Sequence, residues 1–114
     1  DFKAPIREKY PDLGPLALDV APETAYERAL ELAKAQEGWT ITHESPEEMT
    51  LEGVAVTSLL RFRDDFVVRV REHDGGAVID MRSKSRKGKG DLGANAKRIR
   101  AFFEALERVL QGDG

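Results

Sequence analysis

Apolar positions along the chain repeat with a helical period in two places and with a strand period between them. Across residues 22–36 the apolar side chains step by three and four, and Pro22 and Gly38 suit the beginning and the end of a helix there. The same period runs through residues 91–110, where Phe103 falls in the centre of the apolar stripe. The pattern predicts two helices, of which the second is the longer and buries Phe103 in the core.

Between the two predicted helices, apolar and polar residues alternate in the manner of half-buried strands. The alternation predicts one strand over Trp39–His43 and another over Met49–Phe62, with a turn at Ser45–Glu48 between them. Gly53 within the second strand favours a β-bulge. We expect a turn at Arg63-Asp64 to lead from there into the third strand.

The turn between the third and fourth strands decides which residues face each other across the hairpin. A two-residue loop could close it at Asp74-Gly75 or one residue later. The earlier turn places Arg69 opposite Asp80, whereas the later turn places Arg69 opposite Arg82, and opposed like charges destabilise a sheet. We therefore predict the Asp74-Gly75 turn. It gives an apolar face of Phe66, Val68, Val70, Ile79 and Met81, and a charged face of Asp65, Arg69, Arg71, Asp80, Arg82 and Lys84.

The first twenty residues differ from the rest because they hold three prolines, Pro5, Pro11 and Pro15. Proline lacks a backbone donor and fixes φ, so we expect residues 1–20 to form an extended arm packed on the core. The whole chain, residues 1–114, is then predicted to be a single α+β domain with one core. Its predicted architecture is a two-layer sandwich, in which a four-stranded antiparallel meander carries both helices on one face in the order α-β-β-β-β-α.

The composition excludes or disfavours several kinds of functional site and partner. The chain has no cysteine, which excludes disulfides, thiol catalysis and thiolate metal sites. His43 and His73 lie thirty residues apart without ligand spacing, so we predict no metal site and no cofactor. The net charge of −3 disfavours nucleic acid as a partner, and no apolar run approaches the roughly 18 residues of a membrane span.

The junction between the last strand and the last helix concentrates basic residues and glycines. Gly88–Gly93 matches G-x-G-x-x-G, but a dinucleotide site needs another strand after the helix, and none is predicted. Cations, glycine amides and a helix N-terminus together attract phosphate, sulfate or carboxylate. The candidate anion-binding residues are Arg86, Lys87, Gly88, Lys89, Gly90 and Gly93. The alternative is an internal ion-pair network of Asp65, Arg69, Asp80, Arg82 and Asp91.

Catalysis would have to come from the carboxylates, because the serines of residues 83–85 have no histidine placed to activate them and are expected to bond backbone. Neighbouring arginines keep carboxylates ionised, which is the opposite of what a general acid needs. We therefore predict a non-catalytic binding or assembly module, which recognises an anionic group or a protein partner through the Arg82–Asn95 surface. A small hydrolase that uses Asp64, Asp65 or Asp91 with arginine support is the alternative.

Four segments carry a resemblance to a known family. The longest is Asp80-x-Arg82-Ser83-x-Ser85-Arg86-x-Gly88-x-x-Asp91-x-Gly93-x-Asn95-Ala96-x-Arg98-Ile99, and the others are Tyr10-Pro11-Asp12-Leu13, Gly38-Trp39 and Phe62-x-Asp64-Asp65-Phe66-Val67-Val68-Arg69-Val70. Together they resemble the domain of unknown function family numbered 1499. The resemblance implies no activity. Because relatives are often exported or membrane-tethered, it does imply an exported or membrane-associated protein, whose tether would lie outside this chain.

Overall fold

The structure is a computed structural model that describes residues 14–57, 61–86 and 92–112. Its elements are β1 (Leu16–Leu18), α1 (Pro22–Ala35), β2 (Trp39–Ser45), β3 (Thr50–Val56), β4 (Arg63–His73), β5 (Gly76–Ser85) and α2 (Leu92–Gly112). The strands form one antiparallel sheet in the order β1-β5-β4-β3-β2. The α+β class, the antiparallel sheet and the two helices are confirmed.

The sheet has five strands, so the prediction of four strands in the order α-β-β-β-β-α is wrong. The additional strand is β1, which lies in the predicted arm and pairs with β5 through Leu16↔Ile79 and Leu18↔Ala77. It is a three-residue strand at the edge of the sheet, where the preceding Pro15 removes no hydrogen bond that a central strand would need. The observed order is β-α-β-β-β-β-α, and residues 1–13 of the arm lie outside the described residues.

The β4–β5 hairpin has the register that the charge argument predicted. Its turn residues Asp74 and Gly75 have φ of 53° and 82°, which is the type I′ geometry of a two-residue hairpin. Arg69 lies opposite Asp80 and Val70 opposite Ile79. The Asp74-Gly75 turn is therefore confirmed.

The predicted turn at Arg63-Asp64 is wrong, because both residues belong to β4. The chain reverses earlier, where the Thr57 amide donates to the Phe62 carbonyl at 2.9 Å. The Phe62 amide in turn donates to the Thr57 hydroxyl, also at 2.9 Å. Phe62 is 50% exposed and precedes β4 instead of extending β3. This shift places Asp64 within a strand, two residues before Phe66 and on the same buried face.

Gly53 is required by close packing. A Cβ at this position would lie 2.5 Å from Phe66 Cζ and 2.5 Å from the Thr40 carbonyl oxygen. The irregularity in strand pairing lies in the partner strand β2, where the register shifts between Ile41 and His43. The glycine thus leaves room for the Phe66 ring against β3, opposite that shift.

One hydrophobic core fills the space between the sheet and the two helices. Phe103 of α2 is only 5% exposed, and α2 is the longer helix, both as predicted. The largest fully buried side chains are Phe66, Leu51, Ile79, Leu106, Val68 and Val70. The core-facing strand residues alternate with charged residues on the opposite face, which we call the outer face.

Candidate functional site

Five polar side chains meet where β4 begins, β5 ends and α2 begins; we call Asp64, Ser83, Ser85, Asn95 and Arg98 the polar cluster. Its centre is an ion pair between Arg98 Nη1 and Asp64 Oδ2 at 2.9 Å. The two side chains are 13% and 4% exposed, respectively. This pair is shielded from solvent, so loss of either partner would leave a buried charge.

Hydrogen bonds extend the pair across the cluster. Arg98 Nη1 also donates to Ser83 Oγ and to Asn95 Oδ1, each at 2.9 Å. Ser83 Oγ donates to Asn95 Oδ1 at 2.5 Å, and Asn95 Nδ2 donates to Ser85 Oγ at 3.3 Å. The expectation that these serines bond backbone is thus wrong, because they bond side chains of α2.

Local geometry explains why these residues meet. Ser83 and Ser85 share the core-facing side of β5 with Met81, because strand residues two apart point to one face. Asn95 and Arg98 lie three residues apart, so they share one side of α2. The cluster ties the first turns of α2 to the ends of two strands.

One atom of the polar cluster is unsatisfied. Asp64 Oδ1 is buried and has no hydrogen-bond partner among the described residues. A buried acceptor without a partner costs about 1–3 kcal/mol. Asp64 therefore depends on Arg98 for its stabilisation, and this dependence marks the cluster as a structural connection between helix and sheet.

Three cations alternate over the end of β5 and the residue that follows it; we call Arg82, Lys84 and Arg86 the cationic row. All three are exposed. Asp65 lies opposite Lys84 in the register, but its carboxylate contacts Arg86, with Nη2 to Oδ1 at 3.1 Å and Nε 3.2 Å from each oxygen. The Arg86 and Asp65 side chains are 48% and 52% exposed, so this contact contributes no more than about 1 kcal/mol.

The residues of the predicted ion-pair network are only partly brought together. Asp80 faces Arg69 in the register, yet its carboxylate is 2.9 Å from Arg71 Nη2. Arg69 and Arg82 are exposed, and neither forms an ion pair within residues 14–57, 61–86 and 92–112. Asp65 pairs with Arg86, as described above, and Asp91 lies outside the described residues.

Two of the six predicted anion-binding residues, Arg86 and Gly93, are among the described residues, and they lie apart. Arg86 contacts Asp65 on the outer face. Gly93 lines a groove on the helix side of the sheet. The remaining four, Lys87, Gly88, Lys89 and Gly90, lie outside the described residues.

The two described carboxylates of the hydrolase alternative, Asp64 and Asp65, do not share one surface. Asp64 and Asp65 are consecutive in β4, so Asp64 points into the core side and Asp65 to the outer face. Asp91 lies outside the described residues. In the part of the chain that the structure describes, no three histidine or carboxylate side chains are grouped to hold a metal ion.

A groove with an aromatic wall was not predicted from the sequence, where Trp39 marks only the start of a strand and one segment of the family resemblance. It has a volume of about 520 Å³ and lies between the end of α1, the start of β2 and the N-terminal half of α2. The Trp39 ring stacks on Phe102 with centroids 5.6 Å apart and tilts against Phe66 at 4.6 Å. The lining residues are Gln36, Trp39, Gly93, Ala94, Lys97, Arg98, Ala101, Phe102 and Ala105.

Tyr26 has a pKa that departs from the usual value of a tyrosine. Its hydroxyl donates to the Thr50 carbonyl at 3.3 Å and so connects α1 to β3. Burial raises the pKa of Tyr26, and the negative charge of Glu44 raises it further. The phenol is therefore held in its protonated form, which is a structural role.

A family model for proteins of unknown function, DUF1499, matches residues 2–106. The chain belongs to the DUF1499 family. No curated protein matches this DUF1499 sequence. Among solved structures it is similar to a DUF4468 family protein from Bacteroides ovatus ATCC 8483, with 11% identity, a TM-score of 0.39, and coverage of 85% of this chain and 79% of that chain.

Neither α1 nor α2, as described, is long and apolar enough to cross a bilayer.

Proposed function

We propose that this DUF1499 domain is a non-catalytic binding module that recognises an anionic group of a partner through the cationic row. The observation that carries the proposal is the alternation of Arg82, Lys84 and Arg86 on the outer face. All three are exposed, and within the described residues the one ion pair that the row makes is with Asp65. The row and its partner Asp65 together therefore carry more positive than negative charge.

The spacing of the row suits an anion with several oxygens. Residues two apart in a strand lie about 6.8 Å from each other, so the row spans roughly 14 Å. Arg69 extends it sideways, because it lies opposite Asp80 and is therefore diagonal to Arg82 on the same face. Two guanidinium groups can each bind phosphate or carboxylate oxygens in pairs, and an ammonium between them adds a third positive charge.

The contact of Arg86 with Asp65 does not prevent such binding. An ion pair that is half exposed is held weakly, so an incoming anion with more than one negative charge can displace the carboxylate. The polar cluster on the opposite side of β5 supports this use of the strand, because Ser83 and Ser85 fix the strand to α2 while their neighbours face outward. The strand is thereby a firm base for the exposed side chains.

Thermal unfolding with inorganic phosphate tests the proposal. A ligand at roughly ten times its Kd stabilises the folded state by about 1.4 kcal/mol, so phosphate should raise the melting midpoint relative to chloride at equal ionic strength. The double variant Arg82→Gln/Lys84→Gln should lose this increase. Arg108→Gln, which removes an exposed charge of α2, should keep it. Equal midpoints of the parent in phosphate and chloride would refute recognition of phosphate by the row.

A further inference from the structure

We propose that the groove beside Trp39 binds a small amphiphilic anion, with a hydrocarbon body along the aromatic wall and a single carboxylate at the basic end. This groove lies on the helix side of the sheet, so it is separate from the cationic row. The proposal therefore goes beyond the function proposed above and does not depend on it.

The walls of the groove are suited to a hydrocarbon body. Trp39 and Phe102 form a stacked aromatic pair, and the small side chains of Ala101 and Ala105 leave space in front of it. The volume of about 520 Å³ falls within the range of about 300–1,000 Å³ that small-molecule sites occupy. Filling this space with hydrocarbon would remove the exposed part of the Trp39 indole from water.

The charge of the groove favours a monoanion. Among the described residues its lining includes Lys97 and Arg98 and no aspartate or glutamate, although the chain as a whole carries a net charge of −3. Asp64 neutralises Arg98, so the exposed Lys97 ammonium supplies the net positive charge. Gly93 and Ala94 belong to the first turn of α2, whose helix dipole adds a partial positive charge at the same end.

Two other occupants fit less well. Inorganic phosphate would leave the aromatic wall wet and would meet one net cation. A protein segment would need an interface of at least about 1,000 Å² in total, whereas a groove of this volume encloses a small molecule. The combination of an apolar wall and one net cation is best matched by a carboxylate with an aliphatic or aromatic body.

Tryptophan fluorescence gives a direct test, because Trp39 is the only tryptophan of the chain. The probes are decanoate, decanol and acetate, each below its aggregation limit and at constant ionic strength. Decanoate should give a saturable shift of the emission to shorter wavelength, because it removes the indole from water. Decanol lacks the charge and should bind about tenfold more weakly, whereas acetate lacks the body and should produce no shift.

Variants test whether the decanoate-induced shift of Trp39 emission comes from binding in the groove. Ala101→Leu adds bulk in front of the aromatic wall and should abolish the decanoate shift, whereas Ala21→Leu, at an exposed alanine that does not line the groove, should leave it unchanged. Lys97→Gln should weaken decanoate binding about tenfold, and Arg108→Gln should not alter it. The melting midpoint of each variant reports whether the fold is intact.

Several outcomes would overturn the proposal. Decanol that binds as tightly as decanoate would show that the groove does not recognise a negative charge. The absence of any shift of Trp39 emission with decanoate would show that the groove does not bind this class of ligand. A decanoate shift that persists in Ala101→Leu would place the binding elsewhere. Failure of phosphate recognition by Arg82 and Lys84 would leave these results untouched, because that test reads a different surface.

Discussion

Removing the Arg98 guanidinium should destabilise this domain far more than removing an exposed cation of the same helix. Arg98→Met keeps most of the apolar stem but leaves Asp64 buried without its counter-ion. Asp64 is 4% exposed on its side chain, its Oδ2 is 2.9 Å from Arg98 Nη1, and its Oδ1 has no other partner among the described residues. The carboxylate would thus lose the contact that compensates for its burial.

The expected magnitude follows from the burial of the pair. Breaking a buried ion pair by removing one partner costs about 3–5 kcal/mol, which is a large share of the roughly 5–15 kcal/mol that stabilise a small domain. Ser83 and Asn95 would also lose the hydrogen bonds that they accept from Arg98, so the upper half of this range applies. At about 4 °C per kcal/mol, the melting midpoint should fall by roughly 16–20 °C.

Urea unfolding at pH 7 measures the effect, with Arg108→Met as the matched control. Arg108 is exposed on the same helix, so its substitution should change the free energy of unfolding by no more than about 0.5 kcal/mol. Asp64→Asn in the Arg98→Met background should restore at least about 1 kcal/mol, because a neutral amide is less costly to bury than an unpaired carboxylate. Equal stabilities of Arg98→Met and Arg108→Met would refute the structural role of the pair.

Two further predictions concern the sheet and its contact with α1. Gly53→Ala should destabilise by about 1–3 kcal/mol in urea unfolding, because the new methyl group would meet the Phe66 ring at 2.5 Å; wild-type stability would contradict the packing described. Burial raises the pKa of Tyr26, so the folded state holds the phenolic proton more tightly than the unfolded chain does. The resulting stability is complete below the unfolded pKa of about 10 and is lost as pH rises through the higher folded pKa. The parent should therefore lose stability above pH 10 more steeply than Tyr26→Phe, and parallel curves would show that the shift is absent.

Much of the fold could be predicted because local rules and tertiary structure agree there. The Asp74-Gly75 turn needs two residues that tolerate positive φ, and the opposed charges of Arg69 and Asp80 select it over the later turn. The apolar residues of α2 follow a helical period and no strand period. The prediction that Phe103 lies in the core is therefore confirmed. In these segments, turn residues and cross-strand partners of one hairpin, or the period of one helix, determine the structure.

The errors occurred where a distant partner overrides a local signal. The prediction of a turn at Arg63-Asp64 does not include the burial of Asp64. That burial depends on Arg98, which is remote in sequence. One signal could have corrected this, because Asp64 continues the alternation of Phe66 and Val68 toward the start of the strand. Strand β1 was not predicted, for a related reason. Its three residues follow a proline and form a strand only because β5 pairs with them.

The described residues of the Arg82–Asn95 stretch are organised differently from what the sequence predicts. The Arg82–Asn95 stretch was expected to act as one surface, whereas alternation in β5 divides it. Ser83, Ser85 and Asn95 face inward to the polar cluster, and the cationic row faces outward. Several residues of the motif that resembles the family signature thus hold α2 on the sheet. The groove at Trp39 could not be predicted, because its walls come from three separate elements.

A phosphate titration followed by amide nitrogen and proton chemical shifts tests the central claim most directly, because it reports where an anion binds and not only that it binds. Saturable shifts should concentrate at Arg82, Lys84 and Arg86 and at Asp65, whose carboxylate the phosphate would displace from Arg86. The amides of α2 near Arg108 should not move. Shifts that are absent, that do not saturate, or that spread evenly over the exposed cations of the domain would contradict recognition of an anionic group by the cationic row.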